Sequence, residues 1–164
     1  MRLKVGDQVS LFNNISGEWK SEIVDIKNNF LIAKTISQVS PPQAETSIDL
    51  MFSPIKYQNS ESVIRQSTEM GIRSIFPTIF KRTINTKINL SKFNTYAVGA
   101  AQQSERLSIP NIHELNDLKN QSKIISSKTI LMFDEDLKGI HLSKAKIKKN
   151  CEILVVIGPE GGFE

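Results

Sequence analysis

Three groups of residues in this chain have types and spacings suited to chemistry. The first is Glu152-Ile153-Leu154-Val155-Val156-Ile157-Gly158-Pro159-Glu160-Gly161-Gly162-Phe163, an apolar strand running into a loop with three glycines. Glycines let the backbone turn freely and let main-chain amides approach a ligand closely, while Pro159 fixes one dihedral. Open α/β sheets bind ligands at the carboxyl ends of their strands. A nucleotide-like ligand suits this loop, and a tight turn without a ligand explains the same residues. No Gly-Lys-Ser/Thr follows, so it is not a phosphate loop. The Gly-x-Gly-x-x-Gly order of the dinucleotide fingerprint is absent as well. The second group is Gln102-Gln103-Ser104-Glu105-Arg106. Amides and a guanidinium within two helical turns suit bases and phosphates; a polar helix end with Arg106 offsetting the dipole is the alternative. The third is Thr68-Glu69-Met70-Gly71, then Pro77 and Lys81-Arg82-Thr83, which alone read as a helix stop and a basic loop.

The charge distribution points to a polyanion. The net charge is +4, yet residues 1–80 carry eight basic and eight acidic groups and balance. The excess lies in residues 81–164. No acid falls between Glu69 and Glu105, where Arg73, Lys81, Arg82, Lys87 and Lys92 stand, and Lys144, Lys146, Lys148 and Lys149 form a second basic run. RNA or DNA is the partner such asymmetry favours, with a solvated lysine face as the alternative. At 164 residues with 39% hydrophobic and 23% charged composition, the chain has globular composition. No apolar run approaches the roughly 20 residues of a membrane span. One cysteine, Cys151, and two histidines, His113 and His141, exclude an internal disulfide framework and a multi-cysteine zinc site, so no metal is expected. A reducing cytoplasm is the matching compartment. Cys151 reads as inert, Trp19 as packing, and His113 as a helix-start residue.

Two regions must position these groups. Residues 1–46 read as short strands: Arg2–Val5, Gln8–Phe12, Glu18–Ile26 and Phe30–Val39, with turn chemistry at Asn13–Gly17. Ser40-Pro41-Pro42-Gln43-Ala44-Glu45 reads as a linker. Residues 47–164 alternate strands and helices, as in an α/β domain with a largely parallel sheet. The expected strands are Ile48–Phe52, Ile72–Phe76 ending at Pro77, Thr129–Phe133 and Glu152–Ile157. The expected helices are Ser60–Met70 with Gly71 as its stop, Ser91–Arg106, and a short one over His113–Asn120.

Taken in order, Thr-Glu-Met-Gly, Pro with Lys-Arg-Thr, Gln-Gln-Ser-Glu-Arg with Pro110, and Ile-Gly-Pro-Glu-Gly-Gly-Phe resemble the RsmE family of bacterial 16S ribosomal RNA uridine-N3 methyltransferases. Arg2-Leu3-Lys4-Val5-Gly6-Asp7 with Leu11-Phe12 resembles that family's N-terminal barrel. The resemblance implies a small PUA-like β-barrel, then a SPOUT-type α/β domain whose trefoil knot builds an S-adenosylmethionine site. It further implies a homodimer acting on 16S rRNA in the 30S subunit. Residue by residue, Ile157, Gly158, Pro159, Glu160, Gly161 and Gly162 match the cofactor loop, and Phe133, Asp134 and Glu135 match the strand end that also faces cofactor. Arg82, Gln103 and Arg106 match positions lining the RNA side, with Arg73 and Lys81 in the same basic stretch. Uracil N3 must lose its proton before it attacks a methyl carbon, so a base or a stabiliser of the anion is required. Glu160 and Arg82 are the candidates for those roles.

The chain departs from the family pattern. Phe80-Lys81-Arg82 stands where the family has Ser-Glu-Arg, and Gln102-Gln103-Ser104-Glu105-Arg106 where it has Glu-Gln-Ser/Cys-Gly-Arg. Asn59 and Gln66 stand where lysines are expected. The family also has strands before Arg-Leu-Lys-Val-Gly-Asp and a helix, strand and final helix after Gly-Pro-Glu-Gly-Gly-Phe. The resemblance therefore implies an incomplete barrel and a missing C-terminal knot segment, with weakened cofactor binding. A catalytically inactive remnant that keeps RNA binding, or a fragment completed by a separate tail, are the alternatives.

Overall fold

The computed structural model describes residues 3–28, 30–55, 57–133 and 139–163. The chain divides into two compact units, Met1–Glu45 and Thr46–Glu164.

The first unit is an antiparallel three-stranded sheet of β1 (Gln8–Asn13), β2 (Gly17–Lys27) and β3 (Phe30–Ser40), in that order. Strands β1 and β2 pair from Gln8↔Glu22 to Asn13↔Gly17, and β3 shifts register along β2 three times. The Asn13 side chain accepts from the amides of Ile15 and Ser16, which fixes the turn between β1 and β2. Ile23 is fully buried. Residues 3–7 form a turn, with Asp7 N donating to Lys4 O at 3.1 Å and the Asp7 carboxylate accepting from Lys4 N. The expected strand over Arg2–Val5 is therefore replaced by a turn in its described part: Gly6 at φ +91° lets the chain reverse, Asp7 bonds back to Lys4, and Gly6 N and Asp7 O pair with Ile23 of β2. Arg2 lies outside the described residues.

The second unit is a parallel sheet in the order β6-β5-β4-β9-β8, with β7 also pairing β5. Its strands are β4 (Ile48–Phe52), β5 (Ser74–Ile79), β6 (Asn111–Ile112), β7 (Asn116–Asp117), β8 (Thr129–Phe133) and β9 (Ile153–Ile157). Central strands buried on both faces read as continuous apolar runs, as β4 and β9 do. On one face, Leu50, Phe52 and Ile75 pack with Ile64, Phe93, Ala97 and Ile112. On the other, Met51, Phe76, Leu154 and Val156 pack with Phe80, Ile124, Ile125 and Phe163. Each fully buried Leu, Ile or Phe contributes about 1.5–3 kcal/mol.

Helix α1 (Tyr57–Glu69) buries Ser60, Ile64, Ser67 and Thr68 at helical spacing. It stops at Gly71, whose φ of +80° suits glycine, and Ile72 N returns to Ser67 O at 3.0 Å. Helix α2 (Leu90–Gln103) starts at Asn89, whose side chain accepts from Lys92 N, and buries Phe93, Ala97, Ala100 and Ala101.

Two expectations are corrected here. Strand β5 runs through Pro77 instead of ending at it. Asn111 N and His113 N donate to Arg73 O and Ile75 O, so alternate residues of β5 face that edge. Pro77 falls on the same side, in the gap between β6 and β7, where no ladder bond needs its missing N–H. The short helix expected over His113–Asn120 is instead β7 and a 3₁₀ turn over Leu118–Gln121, and helix α3 follows at Ser122–Ser126. Asn116 takes its own hydrogen bonds, to Asp117 N and the Asn120 amide, which favours a turn over a helix.

Candidate functional site at the carboxyl edge of the sheet

Strands β4, β5, β8 and β9 point their carboxyl ends to one edge, and the segments that follow them build the site. The β9 end, Ile157, is in register with Phe52 on β4 and Phe133 on β8. Phe133 and Ile157 are 53% and 47% exposed, so two apolar side chains stand side by side at an open edge. The loop Gly158–Phe163 then folds back. Gly162, at φ +76°, sends its N–H to Pro159 O at 2.9 Å. The Phe163 ring lies over Gly158, where an added Cβ would meet ring carbons at 2.7–2.9 Å. Phe163 also meets Phe80 edge-on, with ring centroids 5.5 Å apart.

The segment after β5 brings the cations. Arg82 Nη1 donates to Gly161 O, and the Arg82 methylenes pack against Gly161. Lys81 and Arg82 border a cavity of about 520 Å³ lined otherwise by Met51, Phe80, Ile125, Met132, Val156 and Phe163, among others. Glu160 and Pro159 border a smaller cavity of about 60 Å³ with Ser53, Asn85 and Arg82. The Glu160 side chain is exposed. Asp134 and Glu135 lie outside the described residues.

The structure thus gathers Phe133, Ile157, Gly158, Pro159, Glu160, Gly161, Gly162, Lys81 and Arg82. It does not bring Arg73, Gln103 or Arg106 to this edge. Arg73 precedes β5 and sits at the amino edge, where its guanidinium donates to both oxygens of Asp49 and to Glu152. Arg106 Nη1 donates to Glu69 O at 3.1 Å, and its guanidinium fills the space where a Gly71 Cβ would stand. It closes the end of α1. Gln103 is the exposed last residue of α2.

The amino edge holds a charged group that the sequence reading missed. Asp49 is fully buried and bonded by Arg73 and by the Lys128 ammonium, and Glu152 pairs with both cations. Burial opposes the charged form of Asp49, but the hydrogen bonds and charges of Arg73 and Lys128 outweigh it and hold its carboxyl below the usual value. The hydrogen bond from Arg73 does the same for Glu152. Hydrogen bonds to Asp49 and Glu152 raise the Arg73 pKa. His113 stacks on Phe76 at 4.2 Å, and its burial lowers its pKa. The one signal in the sequence was an acid inside the apolar run Ile48–Phe52.

Residues 42–164 match the family described as RNA methyltransferase domain, and residues 1–36 match RNA methyltransferase PUA domain. The chain belongs to this RNA methyltransferase family. Ribosomal RNA small subunit methyltransferase E of Rickettsia conorii is 28% identical over 166 residues, covering 99% of this chain and 67% of the relative. The protein of that name from Buchnera aphidicola (from Acyrthosiphon pisum) is 25% identical, with 99% and 67% covered. The crystal structure of ribosomal RNA small subunit methyltransferase E from Neisseria gonorrhoeae bound to S-adenosylmethionine superimposes with a TM-score of 0.79 at 18% identity, covering 99% of this chain and 70% of that one. The chain thus spans about two thirds of the length of these relatives. The expected fold, an incomplete PUA-like β-barrel followed by a SPOUT-type α/β domain with a parallel sheet, is borne out, the barrel part being a three-stranded antiparallel sheet among the described residues.

The residues gathered at the carboxyl edge fit the cofactor of this family. Phe133 and Ile157 offer apolar surface for an adenine ring. Gly161 carries no side chain and leaves its main chain exposed. Lys81 and Arg82 set positive charge beside that surface.

Proposed function

We propose that this chain takes part in S-adenosylmethionine-dependent methylation of N3 of a specific uridine in 16S rRNA of the 30S subunit. The observation that carries the reading is the bond between Arg82 and Gly161, which joins the basic turn to the family's glycine loop at the open edge. Bound S-adenosylmethionine supplies a methyl group on a sulfonium. Phe133 and the main chain of Ile157–Gly162 hold its nucleoside, and a cofactor role for Asp134 and Glu135 belongs to the same reading. Lys81 and Arg82 meet RNA phosphate. Arg82 stabilises the negative charge that develops on the uracil, and the Glu160 carboxylate accepts the N3 proton. The target base leaves its stack to reach this edge. Holding the two reactants in line supplies most of the acceleration. A homodimer working in the cytoplasm belongs to the same reading. Among the described residues no helix is long and apolar enough to cross a membrane, and no group of three His, Cys, Asp or Glu is placed to hold a metal ion.

Titration calorimetry of S-adenosylmethionine into the chain tests the reading, with Gly161→Trp as the blocked control and methyl transfer to 30S subunits as the second readout. Binding that the control loses, followed by label on the 16S rRNA, is expected. A folded chain that binds 30S RNA in a salt-dependent way but takes up no cofactor overturns it in favour of RNA binding alone.

A further inference from the structure

We infer that the hydroxyl pair Ser53–Thr83 is a positioning device that locks the basic turn carrying Lys81 and Arg82 to the glycine loop. Phe80–Thr83 is a tight turn with reciprocal bonds. Thr83 N donates to Phe80 O at 3.1 Å, and Phe80 N donates to Thr83 Oγ1 at 2.8 Å. Lys81 and Arg82 are its two central residues. Thr83 Oγ1 also lies 2.8 Å from Ser53 Oγ. Ser53, 2% exposed and just past β4, sends its own N–H to Ile157 O at 3.1 Å. Ile157 is the residue before Gly158, and Arg82 closes the circuit on Gly161 O.

The contacts form a ring. It runs from Ile157 through Ser53 and Thr83 to Arg82, then through Gly161 back along the loop. Every link is a hydrogen bond or covalent chain, so the cations cannot swing away without breaking a bond at Ser53–Thr83 or at Arg82–Gly161. Ser53 and Thr83 touch neither substrate nor cofactor in this account. They act through Arg82 and the loop. Thr83 uses its hydroxyl for two partners at once, which valine or alanine cannot do and serine can.

This rests on the proposed reading for its functional meaning, yet the lock is measurable without activity. Trypsin cuts after Lys81 and Arg82 once the turn opens, so cleavage there reports local opening. Mass spectrometry of the digest of the full chain follows those two bonds. Thr83→Ala is expected to speed their cleavage about tenfold and to lower the denaturation midpoint by the matching amount at most, and Thr83→Ser to restore both. Ser53→Ala is expected to act in the same direction, and the double variant to cleave no faster than Thr83→Ala alone. Equal rates in wild type and Thr83→Ala, or a Thr83→Ser variant as fast as Thr83→Ala, overturn the inference. Additive effects of the two alanine changes also overturn it. In methyl transfer to 30S subunits, Thr83→Ala is expected to lower kcat about tenfold, with Thr83→Ser restoring it. Should the wild-type chain transfer no methyl group while the cleavage pattern holds, the proposed function falls and the lock stands.

Discussion

Arg73 grips Asp49 with two parallel bonds, Nε to Oδ1 at 3.0 Å and Nη2 to Oδ2 at 2.8 Å, and the carboxylate it grips is fully buried. Such fork-to-fork pairing is directional. It fixes the start of β5 against β4, and Lys128 and Glu152 extend the same arrangement to β8 and β9.

Asp49→Asn leaves two inward-facing cations short of a counter-charge. Removing one partner of a buried ion pair costs about 3–5 kcal/mol. Urea denaturation of the variant is expected to show a loss of that order. A loss below about 1 kcal/mol would mean that Glu152, which pairs with both cations, suffices as their counter-charge.

Acid is expected to destabilise the chain, in two steps. His113 has a folded-state pKa below its unfolded value near 6.5, so its contribution is complete above that pH. The contribution is lost as pH falls toward the folded value. Asp49 and Glu152 are also held below their unfolded values, so their contribution is present above about pH 4 and is lost below it as each is protonated. Denaturation midpoints from pH 8 to pH 3 check this, and His113→Gln should remove the upper step alone.

Gly158→Ala places a methyl group on the Phe163 ring. Inserting a carbon into such a contact costs about 1–3 kcal/mol, and the ring or the loop must shift. Calorimetry is expected to show weaker S-adenosylmethionine binding, with the urea midpoint falling as well. Unchanged binding would separate the loop from the cofactor.

Lys81 and Arg106 should part company in RNA titrations. Lys81→Gln is expected to weaken 30S RNA binding and to lower the slope against log salt by about one. Arg106→Gln is expected to leave that slope unchanged and to cost about 0.5–1.5 kcal/mol of stability, because the bond it loses is to Glu69 O. A slope lowered by Arg106→Gln as much as by Lys81→Gln would return Arg106 to the RNA side.

Strands bounded by turn residues were legible from residue type. Ile48–Phe52 and Thr129–Phe133 run as read, since continuous apolar runs of five leave little choice. Pro77 misled because its tolerance depends on a gap between two other strands. The segment after His113 misled because side-chain bonds of Asn116 decide it locally. At the site, the glycine loop was visible as a motif. The ring through Ser53 and Thr83 was not, because 30 residues separate the two hydroxyls. The roles of Arg73 and Arg106 depend on partners distant in sequence, which composition cannot supply.

Pro77 also sets the direction in which this sheet can grow. An incoming strand cannot zip along the outer side of β5, since a donor is missing midway and β6 and β7 already occupy the two ends. Strand β8 carries no such interruption and ends the sheet on the other side. One side of the sheet thus offers a new strand only the two-residue edges of β6 and β7, while β8 offers an uninterrupted ladder of five residues.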